Sequence, residues 1–122
     1  MNNRRQRFDL EERLIEFGLL ICQISEDLPP TRLGNHIADQ VIRSGTSPAS
    51  NYGEAQSAES RQDFIHKLKL SLKELRETRV WLKFIERKPL STSSTIEIGL
   101  RECDELIAIL SQSVSTAEKN AN

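Results

Sequence analysis

Glu54 and Glu74 are the first residues in this chain to suggest chemistry, because each lies in a segment that reads as helix and the two helices are neighbours. Two such carboxylates could act as general acid and base, or could bridge a pair of metal ions. A di-metal bundle site requires paired Glu-x-x-His motifs, and this chain has none. Its nearest approach is Asp63 with His66, and it occurs once. His36 and His66 are isolated, which fits surface or boundary positions better than ligand positions. Ser47 and Ser71 have no histidine partner at a readable spacing, so nucleophilic catalysis has no support. The glycine-bearing stretch "SGTSPASNYG" lacks the Gly-Lys-Ser/Thr ending of a phosphate loop. Cys22 and Cys103 are the only cysteines. They form no CxxC pair and cannot build a disulfide framework or a zinc site, so two reduced, partly buried thiols are expected. These residues predict no catalytic group, no cofactor and no metal, and the chain is expected not to be an enzyme.

The elements that carry these residues are helical. Leu, Ile, Glu, Lys and Arg abound, aromatics make up 5%, and there are five glycines and four prolines in 122 residues. That mixture favours helix over sheet, and the length suits one domain with one core. Residues 1–122 are therefore read as a single domain, with frayed ends at about 1–6 and 116–122. Net charge is -1 with 29% charged residues, so any nucleic-acid role needs a local patch rather than bulk charge. The start, "MNNRRQRFDLEER", lacks a signal-peptide apolar region, and no apolar run approaches a membrane span. A soluble, cytoplasmic protein with no membrane partner is expected.

Leu10, Leu14, Phe17, Ile21, Ile24 and Leu28 recur every three or four residues and predict a first helix from about Arg7 to Leu28. Pro29 and Pro30 end it, and Thr31 can cap the next. The third helix follows Ser60 and turns Phe64, Leu68, Leu75, Leu82 and Ile85 inward. The fourth starts in "STSST" and aligns Ile96, Leu100, Cys103, Ile107, Leu110 and Val114. Between them, residues 31–57 are harder to read. The inward series Leu33, Ile37, Val41, Ser44, Pro48, Asn51 and Ala55 is ordinary at first and then polar or small. A loop is one reading, since Ser, Gly, Pro and Asn favour loops. A structureless stretch of a dozen residues is uncommon in a compact domain, however, and the spacing stays in register. A helix kinked near Pro48 is the preferred reading. Short connections then predict an all-α, up-down-up-down antiparallel four-helix bundle.

The segment "IRSGTSPASNYGEAQSAESRQDFIHKLKLSLKELRETRVWL" resembles the four-helix-bundle family named for proteins encoded in intervening sequences of 23S ribosomal RNA. That family carries the pattern "RR…S.PANIAEG", matched here by Arg43, Ser47, Pro48, Asn51 and Glu54, and then by Phe64, Leu68, Ser71 and Glu74. Gly53 stands where alanine is usual and Ala55 where glycine is usual. The resemblance spans about residues 8 to 112. It implies a four-helix bundle, relatives that assemble into rings of five, and no established catalytic activity. It also reaches accessory proteins that assist reverse transcriptases of diversity-generating retroelements.

With this resemblance, the small and polar residues of the second helix read as a buried seam. Ser44, Ser47, Asn51 and Glu54 are expected to meet Ser71, Glu74 and Thr78 of the third helix in a polar network, with Arg43 or Arg79 supplying charge. Leu70, Trp81 and Phe84 fall off the third helix's core stripe, and Leu19, Leu20 and Cys22 off the first helix's. A homo-oligomer is expected, with Leu70, Trp81 and Phe84 at its interface and five subunits as the number the resemblance implies. Lys69, Lys73, Arg76, Lys83 and Arg87 share one face of the third helix. From Ser60 to Lys88 there are nine Lys or Arg against four Asp or Glu. The face reads either as a solvated surface, with Glu77 pairing to Lys73, or as a contact for RNA or DNA phosphates. Two functions remain open: an oligomeric interaction protein acting on RNA, DNA or a nucleic-acid enzyme, and a purely protein-binding or structural homo-oligomer.

Overall fold

The computed structural model of the chain describes residues 3–91 and 93–120, with side chains described from Leu10 onward. Four helices account for nearly all of it: α1 (Asn3–Glu26), α2 (Arg32–Gln56), α3 (Arg61–Arg87) and α4 (Thr95–Asn120). They form an antiparallel up-down-up-down bundle in which each helix packs on the next and α4 returns to α1, leaving α1 diagonal to α3. The boundaries follow local chemistry. Thr31 has extended backbone and its hydroxyl accepts from the Gly34 amide at 3.0 Å, capping α2. Gly34 is required there, because a Cβ at that position would lie 2.0 Å from the Pro29 carbonyl oxygen. Ser60 caps α3 by accepting from the Asp63 amide at 3.0 Å.

The α1 stripe expected from periodicity is buried throughout, from Leu10 to Leu28. Leu14, Phe17, Ile21 and Ile24 meet Ile37 and Val41 of α2, Leu68, Leu75, Leu82 and Ile85 of α3, and Leu106 and Leu110 of α4 in one core. Each fully buried side chain of this size contributes roughly 1.5–3 kcal/mol. Several expectations need correcting. Leu33 is exposed, because Gly34 occupies the inward place in the first turn of α2. Phe64, Leu100 and Ile107 are only half-buried, and Leu106 takes the inward place on α4. At the C-terminal end α4 runs on to Asn120. Ala117 continues the Leu110 and Val114 stripe into the core. At the other end α1 is helical from Asn3; residues 1, 2, 121 and 122 lie outside the described residues.

The segment with poor helix formers is helix. α2 is continuous through Pro48, which is buried inside it. Around the proline, hydroxyls bond back to carbonyls one turn earlier: Thr46 to Ile42 at 2.7 Å and Ser47 to Arg43 at 2.7 Å. The glycine has a packing reason. A Cβ on Gly45 would lie 2.6, 2.8 and 2.9 Å from three atoms of Ile21, and one on Gly18 would lie 3.5 Å from the Gly45 carbonyl oxygen. Small residues let α1 and α2 approach closely at their midpoint.

Candidate nucleic-acid interface

The α2–α3 contact holds a short polar seam. Ser44, Ser71 and Thr78 are buried. Thr78 Oγ1 donates to Ser44 Oγ at 2.9 Å and also lies 2.8 Å from the Glu74 carbonyl. Ser44 Oγ in turn lies 3.4 Å from the Val41 carbonyl. Ser71 donates to the Pro48 carbonyl at 2.9 Å, tying α3 to the proline of α2. The other expected members lie elsewhere. Ser47 bonds within its own helix. Asn51 is half-buried, its amide makes no hydrogen bond to a described residue, and Tyr52 takes the inward place. The buried stripe steps from Gly45 and Pro48 to Tyr52 and Ala55, because a helical face drifts against a strict heptad. Glu54 is exposed and pairs with Lys67 at 2.7 Å. Its hydrogen bond, and then its charge, raise the Lys67 pKa. Glu74 pairs with Arg43 at 3.2 Å on the flank of the seam. Glu54 and Glu74 therefore engage different cations and form no acid–base pair.

Arg43 organises the outer edge of the α2–α3 contact. It bridges Glu74 and Glu77, so Glu77 pairs across to α2 rather than with Lys73 on its own helix. Glu77 also accepts from Trp81 Nε1 at 3.0 Å. The Trp81 ring meets His36 edge-on, with centroids 5.9 Å apart, and Phe84 at 5.6 Å. Trp81 and Leu70 are thus half-buried within the chain, whereas Phe84 is 52% exposed. The expectation that Arg43 would supply charge to Glu74 is met, whereas its contact with Glu77, and through it with Trp81, was not legible from spacing, since those residues lie more than thirty positions away.

The five expected ridge residues lie along the solvent side of α3. Lys69 pairs with Glu118 at 2.9 Å, and Arg76 reaches only the neutral Ser111 hydroxyl at 3.4 Å. Lys73, Lys83 and Arg87 have no carboxylate partner among the described residues. The acids of α3 lie off this strip: Glu74 and Glu77 face α2, and Asp63 and Glu86 fall on its flanks at about 100° per residue. Some basic residues elsewhere are neutralised, whereas Arg32, Arg61, Lys88, Arg101 and Lys119 have no carboxylate partner among the described residues. Arg79 pairs with Asp104 at 2.7 Å. Arg13 pairs with Glu105 at 3.3 Å and closely with Glu102, whose hydrogen bond is the main cause of its raised pKa. Of the unpaired cations of α3, Lys73, Arg76, Lys83 and Arg87 share one strip and Arg61 lies off it.

The remaining chemistry is sparse. Among the described residues no group of three or more His, Cys, Asp or Glu is placed to hold a metal. A cleft of about 580 Å³ at one end of the bundle is lined by Leu10, Tyr52, Phe64, Leu68 and Ile109, with Arg13 and Arg61, and among the described residues by no histidine, cysteine or carboxylate. Cys103 is buried with Sγ 3.3 Å from the Leu75 carbonyl, and burial pushes its thiol up to about 12. Cys22 is half-buried. No helix among the described residues is long and apolar enough to cross a membrane.

An antiparallel bundle with a small-residue α1–α2 contact, a hydroxyl seam and one cationic strip is a helical scaffold with one strongly polarised face. The chain belongs to the family of 23S rRNA-intervening sequence proteins, whose family model matches residues 7–112. It is also similar to a protein of unknown function of the S23 ribosomal protein family from Bacteroides thetaiotaomicron. That crystal structure shares 31% sequence identity, covers 86% of this chain and 97% of its own, and superposes with a TM-score of 0.80. No curated protein matches the chain.

Proposed function

We propose that this protein is a non-enzymatic, self-associating interaction protein that holds RNA through phosphate contacts along α3. The observation that carries this reading is the strip containing Lys73, Arg76, Lys83 and Arg87, from which every acid of α3 is absent. Unpaired surface cations recruit polyanions without reading sequence, and a ring of subunits multiplies their field. Self-association would use the apolar outer surface of α1, where Leu19 is 58% and Ile15 is 40% exposed. Five copies is the number the family resemblance implies. The test is fluorescence anisotropy with a labelled RNA hairpin bearing a single-stranded tail. About four phosphate contacts give a slope of roughly −3 in log K against log salt. Lys73→Glu with Arg76→Glu should abolish binding and leave the melting temperature nearly unchanged. Absence of binding by the parent at low salt would refute the reading.

A second reading has a specific observation behind it. The outer face of α1 sets Ile15 and Leu19 among the exposed acids Glu12, Glu16 and Glu26, opposite in sign to the α3 strip on the far side of the bundle. Such faces can join copies head to tail. The result would be a structural homo-oligomer that leaves no cations for nucleic acid. Light scattering separates the two: Lys83→Glu with Arg87→Glu would yield monomers only if the strip is the subunit contact.

A further inference from the structure

We infer that Phe84 is a stacking platform for an unpaired base, so that the partner of the α3 strip is a single-stranded stretch of RNA rather than a duplex. This rests on the phosphate-binding reading and adds what that reading leaves open. Val80 and Phe84 are 51% and 52% exposed; at about 100° per residue Val80 lies within the arc of the cationic strip and Phe84 at its α2 edge, about 60° around the helix from Arg87. Lys83 precedes Phe84, and Arg87 and the exposed Lys88 follow one turn later, so cations flank the ring along the helix. An exposed aromatic between unpaired cations is the combination that single-strand binding uses: bases stack on the ring while the backbone follows the charge.

The ring is also held in place from behind. Trp81 lies 5.6 Å from Phe84 with its plane tilted by 35°, and His36 meets the other part of the indole edge-on at 5.9 Å. The indole is fixed by its 3.0 Å hydrogen bond to Glu77, which Arg43 holds in turn. A base added to Phe84 would extend an aromatic pile already ordered by the α2–α3 contact, with little further loss of side-chain freedom. A paired base offers no face to such a ring. The deep, narrow major groove of A-form RNA also excludes side chains from its base edges. Loops, bulges and tails fit; a continuous helix does not. From Lys69 to Arg87 the strip is about 27 Å long at about 1.5 Å per residue, room for a few extended nucleotides.

The experiment compares a labelled 12-nucleotide single-stranded RNA with the blunt duplex of the same sequence. Binding is followed by anisotropy and by the emission of Trp81, the only tryptophan. The parent should prefer the single strand, and its emission should change on binding. Phe84→Ala should weaken single-strand binding by about 5- to 100-fold, abolish the emission change, and leave the salt slope and duplex affinity as they were. Phe84→Tyr, which keeps the ring, should retain binding, and melting curves should show both variants folded. If Phe84→Ala binds the single strand as well as the parent does, while Lys73→Glu with Arg76→Glu does not bind, stacking is refuted and the phosphate reading survives. If the parent binds neither RNA, both fall. If Phe84→Ala alters the particle mass in light scattering and not RNA affinity, Phe84 is covered by a second copy and the inference is overturned.

Discussion

Gly45 and Gly53 occupy the same helix, yet alanine at the two positions should move stability in opposite directions. Glycine inside a helix costs about 0.5–1 kcal/mol relative to alanine, so each substitution begins with that gain. At Gly53 little opposes it, since the nearest atom to an added Cβ is Glu11 Oε1 at 3.9 Å. At Gly45 the added Cβ meets Cγ2, Cγ1 and Cβ of Ile21 at 2.6, 2.8 and 2.9 Å. Ile21 is β-branched and fully buried, so it cannot swing aside. The helices must part by roughly 1 Å to restore ordinary contact, and overpacking of this kind costs about 1–3 kcal/mol. The stiffness of Ile21 favours the upper part of that range. Gly45→Ala should then be destabilising by about 1–2 kcal/mol net, and Gly53→Ala stabilising by about 0.5–1 kcal/mol. For a chain of this length 1 kcal/mol corresponds to about 4 °C. Thermal melts should therefore show a fall of about 4–8 °C for the first and a rise of about 2–4 °C for the second, and urea melts should confirm the order with unchanged slopes. If both variants melt higher by the same amount, α1 and α2 do not approach as closely as the structure requires.

Two further outcomes test the interior. Thr78→Val should cost about 1–2 kcal/mol, because it leaves the Ser44 hydroxyl with only the Val41 carbonyl at 3.4 Å. Combining it with Ser44→Ala should cost less than the two single changes together; strict additivity in urea melts would show that the pair does not interact. Cys103 should make stability fall in alkali. Its thiol stays protonated in the fold toward about 12, against an ordinary 9.0, so above pH 9 the unfolded chain binds fewer protons than the folded one. The stabilisation is complete below pH 9 and declines by about 1.4 kcal/mol per pH unit as pH rises toward about 12. Urea melts at about pH 8 and about pH 10 should show this decline in the parent and not in Cys103→Ala, and equal declines would refute it.

Periodicity alone determined the α1 core stripe, because a continuous run of large aliphatics every three or four residues has one way to be buried. Thr31 and Ser60 were legible as caps for a similar local reason: a cap bonds an amide only a few residues away. The segment through Pro48 was legible as helix because its spacing stayed in register on both sides, and the motif around it carried the family. The ridge was legible as a face, since Lys73, Arg76, Lys83 and Arg87 share a side of any straight helix. Which members of these patterns matter was a tertiary decision. Asn51 and Tyr52 are adjacent in sequence and either could point inward; the drift of the stripe and the approach of α3 selected Tyr52. Glu54 belongs to the motif yet lies on the surface beside Lys67, and Glu77 turned from Lys73 to Arg43, since ion pairs form with whichever helix arrives alongside. The same is true of Gly45. Its sequence neighbours mark it only as a poor helix former, whereas its role is set by Ile21, twenty-four residues earlier, across a contact that exists only in the folded bundle.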